Sequence, residues 1–179
     1  MSADEALSAL ERSVIYRGFA DAFRSPRGGT DILSDDLIPP PSGNANTEFL
    51  EAFDQAVSKD ACSLYASAHS SREQMSLYEE LIRWYDHFGL QRKAKAELPD
   101  HITVLLEFMH FLSHREHVCL EGGEDTSSLL KAQSEFLEKH VVPLAHAVSA
   151  GTREASERYW VLAVELSAFT RQHFEQLSS

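Results

Sequence analysis

Glu97-Leu98-Pro99-Asp100-His101-Ile102-Thr103-Val104-Leu105-Leu106-Glu107-Phe108-Met109-His110-Phe111-Leu112 is the stretch on which the fold turns. Pro99 has no amide hydrogen and a fixed φ, so a helix does not run through it. Asp100 is a good N-cap for a helix starting just after it. Ile102, Leu105, Leu106, Met109 and Leu112 then recur at intervals of three and four, the period of a helix with a buried face. Glu107 and His110 interrupt the apolar run, which also falls short of the roughly 20 residues a membrane span needs.

The same period extends in both directions. Upstream, Met75, Tyr78, Leu81, Ile82, Tyr85 and Phe88 predict a helix over about 70–88, with Gly89 as its stop. Phe49, Leu50, Phe53 and Val57 predict a shorter one. Near the N-terminus, Ser2-Ala3-Asp4-Glu5 fits a capping box. Leu7, Leu10, Val14 and Phe19 make a loose stripe to about Arg24, where Pro26, Gly28 and Gly29 break it. Downstream, Leu130, Phe136, Leu137, Val141 and Leu144 mark a helix interrupted near Pro143. Tyr159, Leu162, Ala163, Leu166 and Phe169 mark the last one. No segment alternates with period two for long enough to be a strand. The expected fold class is all-α, a bundle of about six or seven helices in a single domain over 1–179. A long Gly-, Pro- and Ser-rich loop at 25–46 is expected, either a partner contact or a passive linker.

Composition bounds the function. The chain has 179 residues, 43 % of them hydrophobic and 25 % charged, which suits a globular domain. A chain of this size buries roughly 70 % of its unfolded surface, so it needs no staple. Sixteen basic residues face 28 acidic ones, for a net charge of −12. Neither half of the sequence is basic, so nucleic acid, which demands clustered Lys and Arg, is not an expected partner. Cys62 and Cys119 are too few and too far apart for a disulfide framework. The acidic, mixed N-terminus lacks a secretory signal pattern. A cytoplasmic chain without stable membrane insertion is expected.

Chemistry-bearing clusters are few. Glu107, His110, His114 and His117 share a helical face. Glu107-x-x-His110 has the spacing of di-iron bundles, but no second copy accompanies it. His114, His117 and Cys119 offer zinc donors without the second pair that structural zinc sites use. A solvated polar face is the simpler reading. The sequence has no nucleophile elbow, P-loop or dinucleotide fingerprint. The expectation is no enzyme, no metal and no cofactor. Asp100 and His101, at a helix start, offer an acceptor and a switchable donor to a peptide backbone. Plain capping, with His101 exposed and idle, is the other reading of that pair.

Glu97-Leu98-Pro99-Asp100-His101 followed by Leu105-Leu106-Glu107-Phe108-Met109 resembles the signature of the redox-enzyme maturation chaperones of the TorD/DmsD/NarJ type. Tyr85-Asp86-His87-Phe88-Gly89 is similar to the opening of that signature. Gly89 stands where many members have an aromatic, so this copy is more similar to the NarJ-like branch or to the chaperones of type II dimethyl-sulfoxide-reductase-family enzymes. Tyr16 to Pro26 resembles the family's first helix. Phe136 to Pro143 resembles its Phe…His-x-x-Pro element, with Leu144 where a Trp is common. The resemblance runs from about residue 12 to 170.

The resemblance implies a non-catalytic helical chaperone. Its partner would be the catalytic subunit of a molybdenum oxidoreductase of the dimethyl-sulfoxide-reductase family, bound through an N-terminal leader, often a twin-arginine signal peptide. The subunit would be held in the cytoplasm until its cofactors are inserted, before export. Tyr85, Phe88, Glu97, Pro99, Asp100 and His101 are then the expected peptide-binding residues. Tyr16, Phe136, His140 and Pro143 are expected to be structural. The chain is expected to be a monomer or dimer. A metal-binding helical protein and a helical adaptor module are the alternatives.

Overall fold

The computed structural model describes residues 7–24, 26, 39–91 and 97–178. Among them the architecture is all-α, as the periodicity predicts. The helices are α1 (Ala9–Ala22), α2 (Ala45–Phe53), α3 (Gln74–His87), α4 (Ile102–Glu121), α5 (Ser127–Phe136), α6 (Val142–Gly151) and α7 (Glu157–Leu177). A 3₁₀ turn (Ala66–His69) precedes α3, and a π-helical turn (Leu137–Val141) joins α5 to α6. The extended chain contributes one isolated antiparallel bridge, between Tyr65 and His101.

Helix α4 lies at the centre. Ile102, Leu105, Leu106, Phe108, Met109 and Leu112 are all buried. They cover more than one stripe, because α4 is packed from several sides. Helix α1 lies along one flank and α5 along another. A third side meets α3, where Phe108 touches Trp84, Tyr85 and Phe88 edge-on. Helices α6 and α7 pack against each other and close the bundle behind α5.

Helix α1 departs from the expected pattern. Its capping box is Ser8 with Glu11, whose carboxylate accepts from the Ser8 amide at 2.8 Å. The box expected at Ser2–Glu5 lies outside the described residues. Leu10 and Val14, expected in the core, are 43 % and 55 % exposed. The inner face instead carries Arg12, Ser13, Tyr16 and Phe19. Polar residues are stable there because α4 supplies partners. Arg12 meets Glu116 at 2.7 Å, and His110 Nδ1 lies 2.9 Å from Ser13 Oγ. Tyr16, expected to be structural, is fully buried with its hydroxyl 2.8 Å from His173 Nδ1.

Smaller corrections have the same cause. Met75, Ile82 and Val57 are exposed, while Leu77 is buried on α3 in place of Met75. Gly89 ends α3 as expected, with φ of +73° in the left-handed region that glycine tolerates. Most of the 25–46 loop lies outside the described residues. Its end is held: Arg158 Nη1 donates to the Pro39 carbonyl at 2.6 Å, and the Ser42 amide donates to Glu48 at 3.1 Å.

The interruption near Pro143 is a π-helical turn. Proline cannot donate to the carbonyl four residues back, and its ring would clash with it. Widening the preceding turn removes both conflicts, and Val142 donates instead to Leu137, five residues back. The turn buries His140, whose Nε2 lies 3.1 Å from Glu80 Oε1 on α3. Phe136 is fully buried and meets Phe108 at 4.6 Å between ring centroids. Phe136, His140 and Pro143 thus form the joint between α5 and α6.

Candidate functional site

A cleft of about 540 Å³ opens where the end of α1, helix α2 and the start of α4 converge. Its apolar lining comes from Phe23, Phe49, Leu50, Phe53 and Leu64. Phe49 and Phe53 sit one turn apart on α2 and pack edge-on against each other at 5.1 Å. The polar lining comes from Arg24, Asp54, Tyr65, Glu97, His101 and Thr103. Arg24 already pairs with Asp21 and Glu107, so its charge is matched.

The Tyr65–His101 bridge makes one wall. The Ile102 amide donates to the Leu64 carbonyl at 2.9 Å, and the Ala66 amide donates to the Asp100 carbonyl at 3.0 Å. The Tyr65 and His101 rings meet edge-on at 4.8 Å. Tyr65 Oη donates to Glu97 Oε2 at 3.1 Å. Partial burial, reinforced by the Glu97 carboxylate, pushes the Tyr65 phenol up to about 12. It therefore remains a donor at neutral pH.

The N-cap of α4 is His101, not Asp100 as expected. His101 Nδ1 accepts from the Thr103 amide at 3.3 Å and lies 2.8 Å from Thr103 Oγ1. Burial holds the imidazole below its usual range, against the opposing charges of Glu97 and Asp100. A neutral ring that accepts at Nδ1 carries its proton on Nε2, which leaves one donor. His101 is 8 % exposed rather than projecting freely from the first turn.

Asp100 has a different task. It is completely buried, and its Oδ2 accepts from the Ser67 amide at 2.8 Å. It thereby holds the 3₁₀ turn onto the start of α4. Pro99 is buried beside it, and its carbonyl accepts from Tyr85 Oη at 2.7 Å. Tyr85 is buried in the aromatic core, and Phe88 is half-buried against Phe108 and Phe111. Of the six expected residues, Glu97 and His101 line the cleft. Tyr85, Pro99 and Asp100 shape its wall from behind, and Phe88 packs away from it against the middle of α4, on Phe108 and Phe111. Asp100→Ala leaves the Ser67 amide without its acceptor, so a loss of about 1–3 kcal/mol is expected. Urea denaturation of the variant measures it, and an unchanged midpoint would remove this role.

Sequence reading missed Tyr65, Leu64 and Thr103. The segment 61–65 has no helical period and too few residues to read as a strand. Phe49 and Phe53 were visible as a helical pair, but their place in a cleft was not.

The histidines of α4 do not converge. Glu107 is engaged by Arg24 and His110 by Ser13, while the His110–His114 and His114–His117 rings are each 6.3 Å apart. Among the described residues no three metal-ligating side chains come together. No helix of the described residues is long and apolar enough to cross a membrane.

Residues 35–149 match the family model described as nitrate reductase delta subunit. The chain is similar to the dimethyl sulfide dehydrogenase assembly chaperone protein of Rhodovulum sulfidophilum, with 33 % identity over 129 residues, covering 66 % of this chain and 52 % of that protein. It is also similar to the selenate reductase assembly chaperone protein of Thauera selenatis, with 28 % identity covering 70 % of this chain and 68 % of the other. The perchlorate reductase assembly chaperone protein of Dechloromonas aromatica is 30 % identical, covering 72 % and 59 %. The chain thus spans about half the length of the first of these relatives.

Proposed function

The chain belongs to the nitrate reductase delta subunit family, and on that premise we propose that it is a non-catalytic, cytoplasmic chaperone for the assembly of a molybdenum-enzyme catalytic subunit. Its ligand is the N-terminal leader of that subunit, a segment with basic residues followed by an apolar stretch. It holds the subunit while the cofactors are inserted.

The observation that carries this reading is the cleft between α1, α2 and the start of α4. Its phenylalanine and leucine lining suits the apolar stretch of a leader. Glu97 and Asp54 at its edge suit the basic residues. The Tyr65–His101 edge supplies polar groups for a peptide backbone, the usual means of holding a segment in a groove. A net charge of −12 speeds encounter with a cationic segment. The names of the relatives, all assembly chaperones of oxidoreductases, support the same client class.

The test is a pull-down from the native host at low salt, with mass spectrometry of what is retained. A molybdenum-enzyme catalytic subunit is expected, and deleting its leader is expected to abolish retention. Glu97→Lys, at an exposed position, should weaken binding of the isolated leader peptide by roughly fivefold, the worth of about 1 kcal/mol of charge interaction. Retention that survives leader deletion, or no such subunit in cells that make one, would overturn the proposal.

A further inference from the structure

A second, smaller cavity lies on the far side of the 3₁₀ turn. It measures about 130 Å³. Its lining mixes polar groups from Ser70, Arg72 and Lys139 with apolar ones from Leu77, Pro143 and Leu144. The buried edge of His140 closes its floor, at 3 % exposure.

Two features set this cavity apart. The first is charge. On a chain of net −12, Arg72 and Lys139 face one small space. Glu80 pairs with Arg72 and also reaches His140, but it is not part of the lining. Lys139 makes no ion pair among the described residues, so the local balance is one positive charge in excess. The second is backbone geometry. Lys139 and His140 sit on the π-helical turn that Pro143 imposes. That turn advances the backbone differently from an α-helix; His140 reaches Glu80 on α3, and Lys139 lines the cavity. Such turns recur at binding sites.

The lining selects a ligand class. The Lys139 ammonium and the Ser70 hydroxyl, beside the Arg72 guanidinium that Glu80 already holds, fit a carboxylate, which forms charge-assisted bonds with such a cation. The leucines and proline of the same lining fit methylene groups. A bare phosphate would leave those apolar groups uncovered. We propose that this cavity is a socket for a glutamate side chain of a partner protein, separate from the leader cleft. The two sites share the segment 65–70: Tyr65 lines the cleft and Ala66 lines the socket. A partner gripped in both would gain from effective concentration without tighter individual contacts.

The socket is tested without any leader. Nuclear magnetic resonance follows the full chain while glutamate capped at both ends is added. Capped glutamine supplies the methylenes without the charge, and inorganic phosphate supplies the charge without the methylenes. Saturable shifts of residues 69–72 and 139–144 are expected with capped glutamate, none with capped glutamine, and weaker ones with phosphate. Lys139→Gln, at an exposed position, is expected to weaken the glutamate response about tenfold, the loss of one charge-assisted contact. Lys131→Gln, elsewhere on α5, should leave it unchanged. No saturable shift, equal responses to glutamate and glutamine, or tighter binding of phosphate would each overturn the assignment. Because no leader is present, these outcomes are independent of the leader proposal.

Discussion

Glu116→Ala is expected to lose about 3–5 kcal/mol of stability, the usual cost of removing one partner from a buried ion pair. Glu116 is 5 % exposed and Arg12 is 8 % exposed. Arg12 Nη2 donates to both carboxylate oxygens, at 2.7 and 2.8 Å. Gln133 Nε2 donates to the same carboxylate at 2.8 Å, and Ser113 Oγ donates to Gln133 Oε1 at 3.0 Å. The network ties α1, α4 and α5 together. Without the carboxylate, the guanidinium remains in the core with its charge uncompensated. The double variant Arg12→Leu with Glu116→Leu removes both charges and should lose less than Glu116→Ala alone. Urea denaturation measures both. A single variant within about 1 kcal/mol of the parent would show that the pair carries little. The same network sets the register of α1 on α4, and Phe23 at the end of α1 lines the cleft together with His101.

Acidification from pH 7 to about 4.5 is expected to cost on the order of 5 kcal/mol, before most carboxylates titrate. His173 is 2 % exposed beside Tyr16, and burial, helped by the Arg12 charge, pulls its imidazole down to about 3. Burial raises the Tyr16 phenol, which stays protonated and donates to His173 Nδ1. Burial also pulls His140 down to about 4, against the opposing charge of Glu80. Both histidines bind protons in the unfolded chain below about pH 6.5, while the folded chain refuses them. Stability is therefore fully present above that pH. It falls by about 1.4 kcal/mol per pH unit for each histidine as pH drops toward the folded values. Glu80, held below its usual range chiefly by its hydrogen bond to Arg72 against the effect of burial, adds a further loss only at lower pH. Urea midpoints at pH 7, 6, 5 and 4.5 give the slope, and His173→Gln should roughly halve it. A flat profile between pH 7 and 5 would contradict the assignment.

Both effects rest on residues that periodicity misread or left uninterpreted. Leu10 and Val14 have the spacing of a buried face on α1, yet Arg12, Ser13 and Tyr16 occupy it. A stripe rule ranks positions by hydrophobicity alone. It has no access to Glu116 on another helix, about a hundred residues away, which makes burial of Arg12 tolerable. The same limit applies to Asp100. Its neighbour Pro99 marks a helix start, and capping is the commonest use of an aspartate there. Its actual partner, the Ser67 amide, sits on a turn with no sequence period. His101 then takes the capping role that Asp100 leaves open.

Local chemistry alone determined the helical fold class, the stop at Gly89, the break at Pro143 and the buried face of Ile102–Leu112. Each comes from spacing, from a left-handed φ that glycine adopts without cost, or from a missing amide hydrogen. Those are properties of a few consecutive residues. Tertiary structure alone decided which polar residues go inside, which of the six signature residues reach the cleft, and how Tyr65 and Phe53 come to face one space. Burial of a charge depends on a partner, and a cleft depends on elements meeting at an angle. Both are set by residues far apart in the chain, so neither is written in the period of any one segment.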